Sequence, residues 1–206
     1  VFRDRDLTLN SDVVTNREIP GLLSGGIETT YGGYKVHTFL TSGSLVAEAV
    51  PLTFVADVLV VGGGGAGGSG DQGAYEAGGG GAGGFREVPS HPIPNGTFTI
   101  TVGDGGTANQ LSEPPNYGGY SELATPSPIR AEGGGAGGMG PINPGGYGGS
   151  AGGNRRTGTT PSPVAANRVA GPAGDTPAPA TPGQGNGGGA GYNSGASSGG
   201  GGGGGA

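Results

Sequence analysis

One glycine-rich stretch has the spacing of a nucleotide-binding motif. The apolar run Val58–Val61 leads into Gly62, Gly64 and Gly67, which match the dinucleotide fingerprint. That fingerprint requires a helix to begin near its third glycine, because the helix N-terminus holds the pyrophosphate. Residues 68–71 read Gly-Ser-Gly-Asp, a composition that does not sustain a helix. We therefore predict that this stretch binds no nucleotide.

The titratable side chains form no cluster that would support catalysis. His37 and His91 are the only histidines; His37 alternates within a predicted strand, and His91 lies in a predicted proline-rich turn. Neither has partners at the spacing of a zinc site or a catalytic triad. Asp71 and Asp104 lie in glycine-rich loops, but they lack the regular repeats of a calcium site. We predict no enzymatic activity, no cofactor and no bound metal.

Candidate contact residues border the glycine-rich stretches. They comprise four tyrosines and an arginine pair, namely Tyr117, Tyr120, Tyr147, Tyr192, Arg155 and Arg156. An exposed tyrosine offers a large contact area at low entropic cost, with a hydroxyl for polar partners. The alternative is that the tyrosines cap the glycine segments. The arginine pair either contacts an acidic sugar or a neighbouring subunit, or is simply solvated.

The composition excludes several classes of protein. Of 206 residues, 55 are Gly and 17 are Pro, and there is no Cys. A helical bundle is excluded because each interior glycine costs about 1 kcal/mol relative to alanine. Clustered glycines do not fit collagen, and a disulfide scaffold needs cysteine. The net charge of −6 argues against a nucleic-acid partner. No run of 18 apolar residues is present, so we expect no membrane insertion.

The apolar patterning predicts a mainly β fold with essentially no α-helix. Alternating or β-branched runs predict strands at Tyr34–Leu40, Leu45–Val50, Phe54–Val61, Phe85–Val88 and Thr97–Val102, with a short strand within Gly118–Ala124. Pro89–Gly96 is predicted to be a turn. Strands of this length and spacing are typical of a small antiparallel β-sandwich.

The glycines are concentrated between these strands. Residues 62–84, 133–153 and 183–205 hold 40 of the 55 glycines. Flexible linkers are one interpretation of such tracts. The alternative, which we favour, is a layer or bundle of packed polyglycine II helices, with about 3 residues per turn. Without side chains, neighbouring segments approach closely enough for their main chains to hydrogen-bond on several sides.

The chain divides by composition into a short N-terminal segment and a longer domain. Residues 1–24 are rich in charge, with apolar residues between the charges at Phe2, Leu7, Leu9, Val13 and Val14. This segment is either an attachment arm to a larger assembly or a folded-back first strand. Residues 25–206 form the predicted glycine-rich domain, interrupted by a proline-rich excursion at 154–182.

The order of these motifs resembles a known family. Ala56–Gly65, Gly83–Glu87, Phe98–Gly103 and Gly118–Ser121 together resemble the glycine-rich domain of phage tail fibres, adhesins and other virion appendages, over residues 26–206. The resemblance implies a β-sandwich with a polyglycine II layer, whose loops contact host surface molecules.

The resemblance also implies where the protein acts. We expect a structural protein of a tailed-phage virion (a fibre, decoration or adhesin component) that partners other virion proteins and is a homo-oligomer; a trimer would suit a fibre. A host surface glycan or protein is the expected external partner. The alternative function is a soluble polyglycine-bundle protein that binds ice or glycan.

Overall fold

The computed structural model describes residues 22–68, 77–108, 116–138, 146–153 and 184–185, and the main chain of three short strands at Phe2–Asp4, Tyr192–Asn193 and Ser198–Gly199. Within these residues the fold is mainly β, its sheets are antiparallel, and no helix is present. The strands are β1 Phe2–Asp4, β2 Leu23–Ser24, β3 Ile27–Tyr31, β4 Tyr34–Thr38, β5 Gly43–Ala47, β6 Val55–Val61, β7 Phe85–Pro92, β8 Gly96–Thr101, β9 Ser121–Leu123, β10 Ile129–Ala131, β11 Tyr192–Asn193 and β12 Ser198–Gly199.

Two five-stranded sheets contain most of these strands. The first has the order β3-β4-β1-β6-β7, and the second has the order β10-β9-β8-β5-β2. In the second sheet, β5 pairs with β8 from Gly43 opposite Ile100 to Ala47 opposite Gly96. A separate two-stranded sheet pairs β11 with β12.

Period-two alternation gives the sheets one buried face. Along β6, Ala56, Val58 and Val60 are buried, while the residues between them are only partly buried. Leu45 of β5 and Ile100 of β8 supply buried apolar side chains from the other sheet. This pattern is what antiparallel sheets with one solvated face require.

The chain divides into two compact units. Unit 1 comprises Val1–Leu59, Glu87–Thr101 and Glu122–Ile129, and unit 2 comprises Val60–Arg86, Val102–Ser121 and Arg130–Ala206. Unit 1 holds most of the paired strands, and unit 2 holds the glycine-rich segments.

The main error in the strand predictions concerns Pro89. The predicted turn at Pro89–Gly96 is wrong in its first half, because β7 continues through Pro89 to Pro92. Since β7 is an edge strand, the missing N–H of a proline in it need not cost a ladder hydrogen bond. His91 therefore lies near the end of a strand instead of in a turn. The strands β3 and β10 were not predicted, because neither Ile-Glu-Thr-Thr-Tyr nor Ile-Arg-Ala shows a clear apolar alternation.

Backbone hydrogen bonds join the glycine segments of unit 2 at intervals of three residues. The N–H groups of Gly62, Gly65 and Gly68 donate to the carbonyls of Gly84, Gly81 and Gly78, over 2.9, 2.8 and 2.9 Å. The two segments therefore run antiparallel with a period of three. Paired β-strands repeat every two residues, whereas an extended threefold helix repeats every three.

The segment at residues 133–138 bonds to several neighbours at once. Its Gly134 and Gly137 donate to Gly63 and Ala66, so these two segments run parallel. Its Gly135 and Gly138 accept from residues 81 and 78 and donate to residues 150 and 153. Residues 134–138 are all buried. The packed glycine layer is thus present as a hydrogen-bonded arrangement, while the polyglycine II conformation of each segment stays a prediction.

Close backbone approach explains why some of these positions are glycine, but not all of them. A Cβ added at Gly63 or Gly65 would lie less than 3.0 Å from main-chain atoms of a neighbouring segment. At Gly64 and Gly67 the nearest such atom is 3.8 and 3.9 Å away, which is ordinary contact. Positive φ is not the reason, since none of these four glycines has φ in the left-handed region.

The N-terminal strand lies inside the first sheet. The main chain of β1 pairs antiparallel with β4 on one side and β6 on the other, with Arg3 opposite both Val36 and Asp57. A folded-back strand therefore describes Phe2–Asp4. The attachment-arm residues Leu7, Leu9, Val13 and Val14 lie outside the described residues, and the arm stays a prediction.

Candidate contact surface

Tyr120 and Arg130 form a stacked pair on unit 2. The guanidinium carbon of Arg130 lies 3.7 Å from the centroid of the Tyr120 ring, a cation–π arrangement. The same guanidinium forms an ion pair with Glu132, with Nε 2.9 Å from Oε1 and Nη2 3.2 Å from Oε2. Only the Nη2–Oε2 contact has hydrogen-bond geometry, because Nε has no hydrogen-bond partner and is close to Oε1 by distance alone. The ion pair with Glu132 therefore helps to keep the Arg130 guanidinium beside the tyrosine ring.

Tyr120 stays available on its outer side. Its exposed fraction is 39% despite the stacked arginine. It directly precedes β9, and Arg130 belongs to β10, so the pair is held by two adjacent strands of one sheet. Sequence reasoning identified Tyr120 and missed Arg130, because the cation–π partner is ten residues away and comes close only through strand pairing.

Tyr117 packs on glycine. A Cβ added at Gly146 would lie 2.6 Å from Cε1 of Tyr117. The ring can therefore pack there only because residue 146 has no side chain. Burial raises the pKa of the Tyr117 phenol, and the nearby Tyr147 raises it further. An exposed fraction of 45% nevertheless leaves part of Tyr117 open to solvent. Tyr117 thus covers a glycine and borders solvent, while the contact roles of Tyr117 and Tyr147 stay predictions.

Tyr117 and Tyr120 are three residues apart in a segment whose hydrogen bonds also repeat every three residues. The carbonyls of Asn116 and Gly119 both accept from the same neighbouring segment, from Ala66 and Gly63. Residues three apart in such a segment lie on the same side of it. We infer that the two tyrosines share one side of their segment.

The remaining candidate residues lie wholly or partly outside the described residues. Arg155 and Arg156 lie outside them. Tyr192 is described only by its main chain, which pairs with Gly199 between β11 and β12. The contact roles of these three residues therefore stay predictions.

Gln184 anchors the third glycine-rich block to the same sheet edge. Its side-chain Oε1 accepts from the main-chain N–H of Glu132 over 2.9 Å, and its Nε2 donates to the carbonyl of Arg130 over 3.2 Å. Its own carbonyl accepts from the N–H of Phe85 over 3.0 Å. A lone glutamine between Gly183 and Gly185 was the available signal for this anchor.

Both histidines make structural hydrogen bonds. Nδ1 of the buried His37 lies 2.9 Å from the carbonyl oxygen of Gly25, so Nδ1 is the donor. Nε2 of His91 lies 2.9 Å from the Thr125 hydroxyl, which itself donates to the carbonyl of Ser127 over 2.8 Å. Desolvation lowers the pKa of His91. Both histidines thus belong to the interior of unit 1.

The two aspartates weighed for calcium do not form a site that can be described. Asp104 is exposed, and its carbonyl accepts from the N–H of Gly119. Asp71 lies outside the described residues. Across the described part of the chain, no group of three or more His, Cys, Asp or Glu side chains is arranged to hold a metal ion.

One apolar depression of about 170 Å³ lies among the loop ends of unit 1. Four prolines line it, at Pro51, Pro92, Pro94 and Pro126. Two polar side chains, Asn95 and Ser127, also line it. Asn95 is engaged by the main chain of Val50, whose N–H donates to Oδ1 and whose carbonyl accepts from Nδ2. Its amide is therefore not free to orient a small ligand.

Within the described ranges, no helix has the length and apolar character needed to cross a bilayer.

Comparison with known proteins agrees with the predicted domain. A family described as a glycine-rich domain matches residues 41–206, which include the glycine segments of unit 2 and Tyr117, Tyr120 and Tyr147. No curated protein and no solved structure matches the chain. The match covers most of the sequence and begins within the stretch over which the resemblance was predicted. The chain belongs to the glycine-rich domain family.

Proposed function

We propose that this protein is a structural, non-enzymatic component of a tailed-phage virion, such as a fibre, decoration or adhesin component. In this proposal the glycine layer of unit 2 is a stiff platform. Tyr117, Tyr120 and Arg130 are the part of its surface that contacts a host glycan or protein. Other virion proteins are the partners on the particle.

The observation that carries the proposal is the way the glycine segments are bonded. Each buried segment is held through its main chain by more than one neighbour, at N–H···O distances of 2.6–3.1 Å. An arrangement of this kind needs no side chains, so its order does not depend on a reactive or ligand-binding interior. Membership of the glycine-rich family and the resemblance to appendage proteins also support this proposal.

The contact surface is supported by its geometry. Tyr120 is stacked on an arginine that is ion-paired with Glu132, and this contact favours one position of its ring before a partner arrives. Preorganised, partly exposed aromatic rings lose little conformational entropy on binding. A tyrosine ring beside the guanidinium of Arg130 suits a sugar ring or a polar peptide.

Location on a particle is tested directly. Purified particles of the source phage would be analysed by mass spectrometry, and an antibody against residues 22–153 would locate the chain by immunogold electron microscopy. Labelling of the tail or capsid surface is the expected result. Absence of the chain from intact, infectious particles would overturn the virion proposal.

Host contact is tested separately. The full chain would be applied to a glycan array and to host cells beside the variants Tyr120→Leu and Tyr117→Leu. We expect binding to fall at least about tenfold in one or both variants, since a central aromatic contact contributes on the order of 2 kcal/mol. Leu52→Lys, a change at an exposed residue of unit 1, is the matched control. Equal binding by all variants would contradict a contact role for the tyrosines without affecting the particle test.

A second candidate function is binding of a repetitive surface such as ice. Thr97 and Thr99 of β8 are both exposed and lie on the same face of the strand. A thermal hysteresis measurement on the purified chain separates this function from host contact. Hysteresis that is lost in Thr97→Lys and Thr99→Lys would favour it, and its absence would exclude it.

A further inference from the structure

The edges of the two five-stranded sheets are not equally protected. An edge strand exposes unpaired N–H and C=O groups, so proteins shorten edges, interrupt them with proline or bulges, or cover them. The first sheet ends in β3 and β7, and the second ends in β10 and β2. Three of these four edges carry a protective feature.

Each of the three uses a different feature. In β7, Pro89 lacks an N–H, and Ser90 has a φ of 52° with its N–H bonded to Oδ1 of Asp57 over 2.9 Å. Beside β10, the side-chain amide of Gln184 accepts a hydrogen bond from the N–H of Glu132 and donates one to the carbonyl of Arg130, as the main chain of a further strand would. β2 has only two residues. None of these edges offers a long run of free main-chain groups.

β3 has none of these features. It is a five-residue strand of sequence Ile-Glu-Thr-Thr-Tyr, without proline and without positive φ. All five of its residues are exposed, Ile27 by 56% and Tyr31 by 79%, so the described chain leaves this edge uncovered. Its single charge, on Glu28, is already paired with Lys35 at 2.8 Å. Such an edge is a template for another strand.

The hairpin turn determines which main-chain groups point outward. Gly32 and Gly33 have φ of 57° and 81°, as in a two-residue type I′ turn, and Tyr31 lies opposite Tyr34. The residue pair that closes such a turn is hydrogen-bonded, and bonded pairs then alternate along the ladder. Ile27, Thr29 and Tyr31 therefore bond to β4. The main-chain groups of Glu28 and Thr30 face outward.

We propose that β3 pairs antiparallel with β3 of a second copy of this chain, about a two-fold axis at Thr29. Thr29 lies opposite Thr29 of the other copy, and Glu28 lies opposite Thr30, with both outward-facing groups bonded. Ile27 lies opposite Tyr31 on the same face at both ends, an aliphatic–aromatic cross-strand pair of the favourable kind. All five residues are paired.

The sequence of β3 selects this register over the other two that the outward groups allow. With the two-fold axis at Glu28, the two Glu28 residues lie opposite each other, and directly opposed like charges are destabilising. With the axis at Thr30, the two Thr30 residues lie opposite each other and Ile27 lies opposite Gly33, which has no side chain for Ile27 to pack on. Self-complementarity about Thr29 is the reason to assign a second copy as the occupant, since an isologous contact requires it.

Introducing a charge at Thr29, the residue on the two-fold axis, tests both the contact and its register. The full chain would be studied by sedimentation equilibrium up to about 1 mM, because one short strand pair is expected to associate weakly. Thr29→Lys and Thr29→Glu each place like charges on opposed residues whose Cα atoms are about 4.5 Å apart. We expect each variant to raise the dimer dissociation constant at least about tenfold. An equimolar mixture of the two should restore dimers.

Two further variants separate this contact from general effects. Thr30→Pro removes an outward N–H but no bond to β4, so it should abolish dimers while circular dichroism stays native. Leu52→Lys alters an exposed apolar residue elsewhere in unit 1 and should leave the dimer unchanged. A wild-type chain that is monomeric throughout, a trimer, or dimers that persist in Thr29→Lys would each overturn the inference. The inference does not rest on the proposed function.

Discussion

The side-chain amide of Gln184 takes the place of a β-strand beside Glu132. The main-chain N–H of Glu132 donates to Oε1 of Gln184 over 2.9 Å, and Nε2 of Gln184 returns a hydrogen bond to the carbonyl of Arg130. Two residues on one edge are thus satisfied by one amide, which has the same donor and acceptor groups as a peptide unit. Gln184 has an exposed fraction of 3%.

Gln184→Met should destabilise the protein while keeping the volume of the side chain. The N–H of Glu132 would lose its partner, and an unsatisfied buried group costs about 1–3 kcal/mol. The carbonyl of Arg130 would keep only the long contact with Nη1 of Arg86 at 3.4 Å. Urea unfolding would measure the change in the free energy of unfolding. Gln184→Ala, which also removes volume, serves for comparison. A Met variant as stable as the wild type would show that the amide contributes nothing.

Two neighbouring glycines should respond differently to the same substitution. Gly65→Ala puts a Cβ inside contact distance of the carbonyl of Gly135, whereas Gly64→Ala meets only the carbonyl oxygen of Gly81 at 3.8 Å. We expect Gly65→Ala to cost about 1–3 kcal/mol through overpacking. Gly64→Ala should be neutral, or stabilising by about 0.4–1 kcal/mol through the unfolded state. Thermal unfolding of both variants checks this, and equal destabilisation would argue against close packing of the segments.

The stacked pair should be energetically coupled. A double-mutant cycle with Tyr120→Leu and Arg130→Met would isolate their interaction, for which we expect about 0.5–1 kcal/mol because the arginine is partly exposed. Arg130→Lys should recover little of it, since an ammonium group lacks the planar guanidinium that stacks on an aromatic face. Additive effects of the two substitutions would mean that the stacking contributes nothing to stability.

Acid should weaken the fold through His91. Desolvation lowers its folded-state pKa below the ordinary value of 6.5, so the unfolded chain binds a proton at higher pH than the folded chain does. The contribution of His91 to stability is therefore complete above pH 6.5 and is lost as the pH falls through the folded-state pKa. His91→Gln should show a smaller loss of unfolding free energy between about pH 7 and pH 5. His37 is present in both proteins and cancels in the comparison. An unchanged pH dependence would contradict the prediction.

The strand predictions succeeded where the chain has a long β-branched run or a clear alternation. β6 and β8 lie within one residue of the predicted bounds, because β6 is a nearly continuous apolar run and the apolar residues of β8 recur at every second position. The end of β7 was mispredicted because proline is a turn signal in the sequence and is tolerated at a sheet edge in the fold. β10 was missed because its sequence, Ile-Arg-Ala, follows a proline-containing stretch that is typical of a loop.

The contact surface was only partly predictable. Tyr117 and Tyr120 were identified as tyrosines beside glycine segments. Arg130, Glu132 and Gln184 were not, since their roles depend on positions far apart in the chain.

The sequence by itself determined that this chain is β-rich, that its glycines are grouped between strands, and that it belongs with glycine-rich domains. Composition and local periodicity carry that information, because they depend on neighbouring residues. Only the tertiary structure decided which glycines meet a neighbouring main chain closely, which arginine stacks on Tyr120, and which sheet edge the described residues leave uncovered. Those outcomes depend on which main-chain groups of distant segments meet, and a glycine has no side chain with which to specify its partner in advance.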